Sequence, residues 1–413
     1  MAVEPGTVLR IVLNALYLLF VNYVEVLKAV YRHFTHTTQI NPKSARLTRI
    51  LYRFKRDPEE ISRREDFLTI DNGVISKEEL KNPRWTVYSL DKRGAVFIEL
   101  PRPLGEYTIE KEPFVFVPMF EEAIRCAEMD LDSYVALSEE LDSAKNPQKT
   151  VLFTNTARCA STLFGKMLHH EGHSRVLAEH HVLVILAIGN AEGYWSDADV
   201  EKLLPPSVHF LQNAFPKDEI LVLKTTSTEA KLVPAFKKVL PDVKHVFMFR
   251  HNGRESVERM LRRDNGQEAL LKLYAFCPQL STAFGYLAAS EGLLIRELHP
   301  TNLVEFSMLV YAGPYLIYAE NKDSFDVPIV WHNELIKNTE AVLKVVYEGL
   351  GLPLDLIEAA KAHLKQDSQA GTFLSRAALA DVKCAEITPE QNEILKRYAA
   401  RMKVEPEVSG LYD

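Results

Sequence analysis

The feature that most constrains this chain is the stretch 150–166, in which an apolar run leads through a tight loop into a helical pattern. Residues 151–153 read Val-Leu-Phe, which is typical of a short buried strand. Apolar side chains then recur at helical spacing from Leu163 to Leu168. A strand, a tight loop and a helix in this order direct backbone N–H groups and the positive end of the helix dipole at an anion. The sequence therefore predicts an oxyanion-binding loop around Arg158.

The side chains of this loop favour phosphate or sulfate as the anion. Ser161 and Thr162 offer hydroxyl donors, and the guanidinium of Arg158 suits paired oxygen atoms. Three commoner anion loops do not fit. The Walker A spacing is absent, and a dinucleotide fingerprint needs three glycines where this loop has none before Gly165. A cysteine phosphatase would need an arginine six positions after Cys159, where Gly165 stands.

Three further apolar runs predict strands that alternate with helices. They cover residues 175–179, 220–224 and 244–250, and the last two end in Lys224 and Arg250. Strands that alternate with helices form parallel sheets, and the carboxyl ends of such strands face a common ligand crevice. We therefore expect an α/β domain whose strand ends present cations to a single polyanion.

The first of these runs ends in polar residues that could reach a substrate there. Glu179 and His180 stand at its end, and five histidines crowd residues 169–181. A metal site is the alternative, but H-E-x-x-H spacing is absent and Gly172 is expected to end the helix among them. His180 and His181, if both lie on the strand, also point to opposite faces of the sheet and so do not converge on one ion. The sequence favours pocket or solvated histidines and predicts no metal.

The loop and the strand ends together resemble the sulfotransferase family. Arg158 to Thr162 match the family's first phosphosulfate-binding run, Lys or Arg, Ser, Gly, Thr, Thr, with Ala160 at the glycine. The segment 246–252 resembles the opening of the second motif, in which an arginine binds the 3′-phosphate of 3′-phosphoadenosine 5′-phosphosulfate (PAPS). The resemblance implies that the co-substrate contacts Arg158, Cys159, Ala160, Ser161, Thr162 and Arg250.

The second motif departs from the family at its serine. That serine normally lies eight positions after the arginine, where this chain has Glu258. A carboxylate there would repel the 3′-phosphate, and Ser256 could replace the serine only if the turn is rearranged. Further along, the polar segment 366–376 occupies the position where the family closes over the 3′ end of the nucleotide. Arg376 is the predicted phosphate contact there, and a plain loop between helices is the alternative.

The predicted proton acceptor also departs from the commonest pattern. The segment 223–226 resembles the family's Lys-Thr-His run, whose histidine is the base in many cytosolic members, but here that position is Thr226. Members that act on carbohydrates or peptides often use a glutamate at the end of the second strand, and Glu179 matches that place. Lys224 would neutralise the leaving phosphate. We predict Arg158, Lys224, Glu179 and the neighbouring His180 as the catalytic residues.

The resemblance implies a three-layer α/β/α fold with a central, mostly parallel sheet similar to the P-loop nucleotide hydrolases. It implies metal-independent, in-line transfer of a sulfuryl group from PAPS to a hydroxyl of a small molecule or glycan. The alternative is a chain of this fold that binds a nucleotide or a protein partner without turnover, since three motif positions differ. The resemblance covers roughly residues 148 to 400.

The region before the loop is predicted to be an extension. It begins with an apolar helix, 8–30, whose longest charge-free run, 11–24, is shorter than the ~20 residues of a spanning helix. Packing on the enzyme, embedding in a membrane surface and spanning all stay open. The residues 85–100 predict a hairpin, and 118–143 are expected to be helical. The predicted domains are 1–40 (apolar helix), 41–147 (cap), 148–400 (sulfotransferase-like) and 401–413 (tail).

Composition limits the partners and the compartment. The net charge of −7 and the pI of about 6.1 predict no nucleic-acid partner. The four cysteines are dispersed and no N-x-[ST] sequon occurs, which favours the cytoplasm, with membrane association through the first helix open. Basic residues on the carboxyl side of that helix would keep the body of a spanning form cytoplasmic. A type II membrane protein of the Golgi is the alternative.

Overall fold

The structure, a computed structural model, describes residues 5–35, 44–55, 60–251, 253–261, 297–372 and 386–405, with the single positions 271, 375, 377 and 380. The chain divides into two compact units. The segments of unit 1 are Met1–Tyr107, Val115–Pro147 and Pro205–Pro216, and those of unit 2 are Thr108–Phe114, Gln148–Leu204 and Lys217–Asp413. The domain boundaries expected from the sequence stay predictions.

Unit 1 is built on a five-stranded antiparallel sheet with the spatial order β2–β1–β5–β4–β3. Its strands are β1 Ser44–Arg53, β2 Phe67–Ser76, β3 Trp85–Asp91, β4 Gly94–Glu99 and β5 Arg125–Met129. The helical prediction for 118–143 is wrong at its centre, because β5 lies there and pairs with β1 on one side and β4 on the other. Pairing on both edges outweighs the weak helical pattern of this short segment.

The predicted hairpin is confirmed, and Asp91 closes its turn. Asp91 pairs with Gly94 across the two strands. Its Oδ1 accepts hydrogen bonds from the backbone N–H groups of Arg93 at 2.7 Å and Gly94 at 3.0 Å. A short carboxylate that bonds the backbone two and three residues ahead is a standard way to stabilise such a turn.

The first helix, α1 Pro5–Phe34, has one face on this sheet and one in solvent. Lys28 Nζ donates to Thr69 Oγ1 at 3.0 Å, and Arg32 Nε donates to Asp71 Oδ2 at 2.8 Å. The other face exposes large apolar side chains, each at least 47% accessible: Leu9, Val12, Leu13, Leu16, Leu19, Phe20, Tyr23, Val26, Leu27, Val30, Tyr31 and Phe34. By length and composition alone, Val12–Phe34 could cross a membrane.

Unit 2 contains the predicted parallel sheet, with the spatial order β10–β9–β6–β8–β7. Its strands are β6 Thr150–Asn155, β7 Ser174–Ala178, β8 Ile220–Lys224, β9 Lys244–Phe249 and β10 Val330–Trp331. The first strand in sequence, β6, lies in the middle, with β8 on one side and β9 on the other. The carboxyl end of such a central strand is the topological switch point where α/β proteins bind ligands.

The described part of the chain contains further helices besides α1. In unit 1 they are α2 Lys77–Leu80, α3 Phe116–Glu121, α4 Leu131–Glu139 and α5 Asp142–Lys145. Those of unit 2 are α6 Ser161–Met167, α7 His181–Ala191, α9 Val233–Val239, α10 Gly253–Leu261, α11 Leu303–Glu320, α12 His332–Lys337, α13 Thr339–Leu350, α14 Ile357–Lys361 and α15 Pro389–Arg401. The helix α8 Asp197–Gln212 begins in unit 2 and ends in unit 1.

Helices cover both faces of the parallel sheet, which gives the three-layer arrangement. Val246 and Met248 of β9 pack in one cluster with side chains of α6, α13 and α14. Phe247 and Phe249 of the same strand pack in a second cluster with α10, α11 and α15. Because neither face meets water, the strands are continuous apolar runs rather than alternating ones. This is why their positions could be predicted from the sequence.

Gly94→Ala is expected to destabilise unit 1 strongly. Gly94 has φ +141°, and a Cβ there would lie 2.0 Å from the carbonyl oxygen of Met129. The clash and the backbone strain together cost on the order of 3 kcal/mol, measurable by hydrogen exchange of the β3 and β4 amides. The matched control is Gly73→Ala, at φ +93° with nothing within 4 Å of a Cβ, which should cost about 1 kcal/mol. Equal losses in both variants would contradict this explanation.

Candidate functional site

The predicted anion loop follows β6 at the switch point, and hydrogen bonds join the strand ends around it. Asn155 Nδ2 donates to the carbonyl of Thr225 at 2.7 Å, just beyond β8. The N–H of Thr156 donates to the carbonyl of Met248 in β9 at 3.3 Å. The loop therefore begins between the strand that ends in Lys224 and the strand that precedes Arg250.

The electrostatics of Cys159 show that both cations act on this loop. The thiol is fully buried, and burial raises its pKa to about 11. The positive charges of Lys224 and Arg250 oppose that rise. The loop therefore lies in the positive electrostatic field of Lys224 and Arg250, which would attract a polyanion. Arg158 and Ser161, on either side, are partly exposed.

The backbone of the site is strained at three positions. Arg158 and Ala160 in the loop have φ of +62° and +68°, and Glu179, the residue after β7, has φ of +59°. Left-handed backbone costs a residue with a side chain about 1 kcal/mol or more, and such strain clusters at functional sites. Ala160 occupies the position where the resembled motif has glycine, which adopts this conformation without that cost.

A distant segment contacts the loop. Thr162, in the first turn of α6, is buried, and its Oγ1 accepts a hydrogen bond from Gln369 Nε2 at 3.3 Å. The polar segment that begins at residue 366 thus lies against the anion loop, on the side of its second hydroxyl residue. Arg376, the predicted phosphate contact of this segment, lies outside the described residues.

Two of the predicted catalytic residues contact each other. Lys224 Nζ forms an ion pair with the carboxylate of Glu179, and the two side chains are only 2% and 13% exposed. The N–H of Glu179 also donates to the carbonyl of Lys224 at 2.6 Å. The pair is neutral as a whole, so an incoming anion must share the ammonium with the carboxylate or displace it.

A second acidic residue, which the sequence analysis did not identify, lies in the turn 228–232 that follows β8. Glu229 is completely buried, and its Oε2 accepts a hydrogen bond from Thr226 Oγ1 at 2.5 Å. Burial raises the pKa of Glu229 to about 7, the bonds from Thr226 oppose the rise, and the charge of Glu179 adds to it. The T-x-x-E spacing was visible in the sequence, but the burial of the carboxylate was not.

Arg250 is held on several sides and retains one unbonded donor. Its Nη1 lies 2.7 Å from Glu255, and its Nη2 lies 3.1 Å from Nε2 of His332. Its Nε and the hydroxyl of Ser256 are both buried with no hydrogen-bond partner within the described part of the chain. An unbonded buried donor costs about 1–3 kcal/mol, so the oxygens of a bound anion would stabilise this corner. These donors fit a phosphate group.

The carboxylate that competes for Arg250 is Glu255 rather than Glu258. Glu258 Oε1 lies 3.0 Å from Nε of Arg254, one helical turn away. Glu255 bridges Arg250 and Arg259, whose Nη2 is 2.6 Å from it. Burial opposes its ionisation, but the two guanidinium groups outweigh that effect and lower the pKa of Glu255. Glu258 is therefore paired with Arg254, and the carboxylate that is paired with Arg250 is that of Glu255.

Three of the histidines near β7 are buried and hydrogen-bonded. His180 is buried, its Nδ1 accepts from the N–H of Val182 at the start of α7, and burial lowers its pKa to about 3. His169 Nδ1 accepts from the N–H of Val176 at 3.2 Å, and burial lowers its pKa to about 4. His170 bonds the hydroxyl of Tyr347 at 2.8 Å. Among the described residues, no three His, Cys, Asp or Glu side chains converge as metal ligands.

No family model and no curated protein match this sequence. Solved structures similar to it include sulfotransferase STF9 from Mycobacterium avium, with a TM-score of 0.34 at 13% identity, covering 65% of this chain and 80% of that one. The mouse sulfotransferase SULT7A1 complexed with PAP has a TM-score of 0.35 at 11% identity, covering 68% of this chain and 93% of that one. A sulfotransferase from Alicyclobacillus acidocaldarius has a TM-score of 0.33 at 13% identity, covering 62% of this chain and 95% of that one. Likeness at this level carries no inference about activity, which must rest on the residues of this chain.

Ala160→Gly is expected to stabilise unit 2. Glycine removes the strain at φ +68°, which should raise the free energy of unfolding by about 1 kcal/mol. Ala157→Gly is the matched control in the same loop, since Ala157 is outside the left-handed region and should lose about 0.5 kcal/mol instead. Urea unfolding of both variants measures the difference. A loss of stability in both would mean that Ala160 is not strained.

Proposed function

We propose that this protein is a sulfotransferase that transfers a sulfuryl group from PAPS to a hydroxyl acceptor without a metal. The observation that carries the proposal is the meeting of three strand ends at one switch point. The loop with Arg158 follows the central strand β6, Lys224 ends β8 on one side, and Arg250 follows β9 on the other. Three cations around one loop suit a co-substrate with several anionic groups.

The chemistry requires an in-line displacement. A bond forms between the acceptor oxygen and sulfur while the bond from sulfur to the 5′-phosphate oxygen breaks, and 3′-phosphoadenosine 5′-phosphate (PAP) leaves. Arg158 would hold the sulfuryl oxygens and Lys224 the bridging oxygen, where negative charge develops. Ser161 and Thr162 would donate hydroxyl hydrogen bonds to the 5′-phosphosulfate. Cys159 and Ala160 would contribute through the backbone of the loop.

The 3′-phosphate would bind at Arg250. Its unbonded Nε and the hydroxyl of Ser256 supply the two donors described above. Binding then requires Glu255 to leave Arg250 and remain with Arg259 alone. The exchange replaces one anion by another at the same guanidinium, so the affinity for the nucleotide depends on how readily Glu255 turns away.

A nucleotide-binding protein of the same fold without turnover is the second candidate. The ion pair of Lys224 with Glu179 favours it, because the lysine needed for the leaving group is already neutralised. The threonine at position 226 favours it too, because a hydroxyl by itself is no base at neutral pH. Both candidates share the nucleotide site and differ only in whether transfer follows.

Arg158→Ala is expected to lower the transfer rate by about 100- to 1,000-fold, since one preorganised donor to the transition state is lost. The assay uses PAPS labelled in its sulfuryl group and a panel of phenols, alcohols and glycans. Arg397→Ala, an exposed arginine of α15, is the matched control and should leave the rate unchanged. A rate unaffected by Arg158→Ala would contradict the assignment of the loop.

Calorimetric titration with PAP separates the two candidates. Binding with turnover supports the sulfotransferase, and binding without turnover on any acceptor class supports the second candidate. Failure of PAP to bind the wild-type protein would refute both. Arg250→Ala should weaken PAP binding by at least tenfold, because a charge-assisted contact to phosphate is removed.

We also propose that α1 attaches the protein to the surface of a membrane, with its body in the cytoplasm. The helix is tied to the sheet of unit 1 at two levels, by Lys28 to Thr69 and by Arg32 to Asp71. Tyr17 adds a ring contact to Phe54 at 4.7 Å. A helix bound along one face to this sheet can insert only its other face, which favours lying in the interface over spanning.

Leu19→Glu with Tyr23→Glu should abolish co-flotation of the full chain with phosphatidylcholine vesicles, because charges enter the exposed apolar face. Val345→Glu with Leu354→Glu is the matched control, since these apolar side chains of unit 2 are also exposed, at 48% and 41%. Loss of flotation in the control pair, or binding by the α1 variant, would count against attachment through this helix.

A further inference from the structure

The transfer of a sulfuryl group to a hydroxyl releases a proton, and both acceptors expected from the sequence are engaged elsewhere. Glu179 is paired with the ammonium of Lys224. His180 is buried, and its Nδ1 accepts from the N–H of Val182 at 3.3 Å. A third group near the end of β8 has a geometry better suited to accept the proton.

That group is the pair formed by Thr226 and Glu229. Thr226 lies two residues after the end of β8 at Lys224 and is partly exposed. Its hydroxyl donates to Oε2 of Glu229 at 2.5 Å, and its N–H faces the other oxygen, Oε1, at 3.3 Å. Both oxygens of one carboxylate are thus directed at a single residue, which occupies the position of the base in the resembled motif.

The simplest structural explanation of this pair is local capping of the turn 228–232, since Thr226 Oγ1 also accepts from the N–H of Thr228 at 3.3 Å and T-x-x-E is a capping spacing. That explanation does not account for the burial of Glu229, which is 0% exposed. An exposed carboxylate would bond the same N–H at no desolvation cost, whereas burying a charge without a cation carries a large one. In the described structure the groups that act on Glu229 include Thr226, its own backbone N–H and the negatively charged Glu179, and no cation is among them.

We propose that Thr226 and Glu229 form a proton relay for the transfer reaction. The acceptor hydroxyl gives its proton to Oγ1 of Thr226 as its oxygen bonds to sulfur. The hydroxyl proton of Thr226 passes to Oε2 of Glu229 in the same step, so that the threonine is neutral before and after. Glu229 ends protonated, PAP leaves as the anion, and no further reactant is needed. This inference rests on the proposed function.

The ionisation of Glu229 suits this role. Burial raises its pKa to about 7, so a substantial fraction is ionised at neutral pH and can accept a proton. A base whose pKa lies near the working pH combines availability with driving force. Since the ionised form is required, the rate should rise with pH through the range around 7 and level off above it.

The test is Glu229→Gln, which keeps an oxygen for the N–H of Thr226 and an amide for its hydroxyl but cannot accept a proton. The rate of transfer with saturating PAPS should fall at least 100-fold, as expected for loss of a general base. PAP affinity measured by calorimetry should stay within about twofold, because no phosphate contact is removed. The rise of the rate with pH around 7 should disappear. The control is Glu348→Gln, an exposed glutamate of α13.

Variants of Thr226 test the relay by another route. Thr226→Val removes the hydroxyl at nearly constant volume and should match the loss in Glu229→Gln, while Thr226→Ser should recover most of the lost activity. A purely capping role predicts that Glu229→Gln keeps its rate and its pH profile, and that result would overturn the relay. The same holds if Glu179→Gln, rather than Glu229→Gln, removes the rise with pH.

Failure of the relay and failure of the proposed function have different signatures. An active wild-type enzyme whose rate and pH profile survive Glu229→Gln refutes only the relay. A wild-type protein that binds no PAP, or binds it without turnover on any acceptor, refutes the sulfotransferase itself.

Discussion

Parallel pairing of β6 with β8 and β9 is the interaction on which the rest of unit 2 depends. Four residue pairs join β6 to β8, from Thr150 with Leu221 to Phe153 with Lys224, and five join it to β9. This register places the carboxyl ends of three strands at one level. The loop after β6 must then turn between its two neighbours, and the strain at Arg158 and Ala160 lies in that turn.

Two of the cations gathered by this pairing, Lys224 and Arg250, are balanced by acids. Glu179 neutralises Lys224, and Glu255 neutralises Arg250. Buried charges need such partners, because an unpaired ammonium or guanidinium in a region poor in water is costly. The same carboxylates become competitors when an anion arrives. Binding of a polyanion at this site is therefore an exchange of anions, and the flexibility of two glutamates matters as much as the number of cations.

Local sequence patterns predicted the fold well wherever the tertiary packing of a segment and its intrinsic secondary-structure preference favour the same structure. The strands of unit 2 have apolar side chains on both faces because helices cover both, and the hairpin is marked by the turn at Asp91. The helical prediction for 118–143 was wrong because the strand within it, β5, is stabilised by pairing with β1 and β4 rather than by the preference of its own residues. Pairing partners eighty or thirty residues away leave no signal in a short window.

What the sequence by itself determined is the order of strands and helices in unit 2, the loop around Arg158 and the cations at the ends of β8 and β9. These follow from periodicity and residue type, which are local. Only the tertiary structure decided that Lys224 meets Glu179, that Glu255 rather than Glu258 contacts Arg250, and that Glu229 is buried under Thr226. The distances between side chains and the burial of each side chain depend on packing, and packing depends on the whole chain.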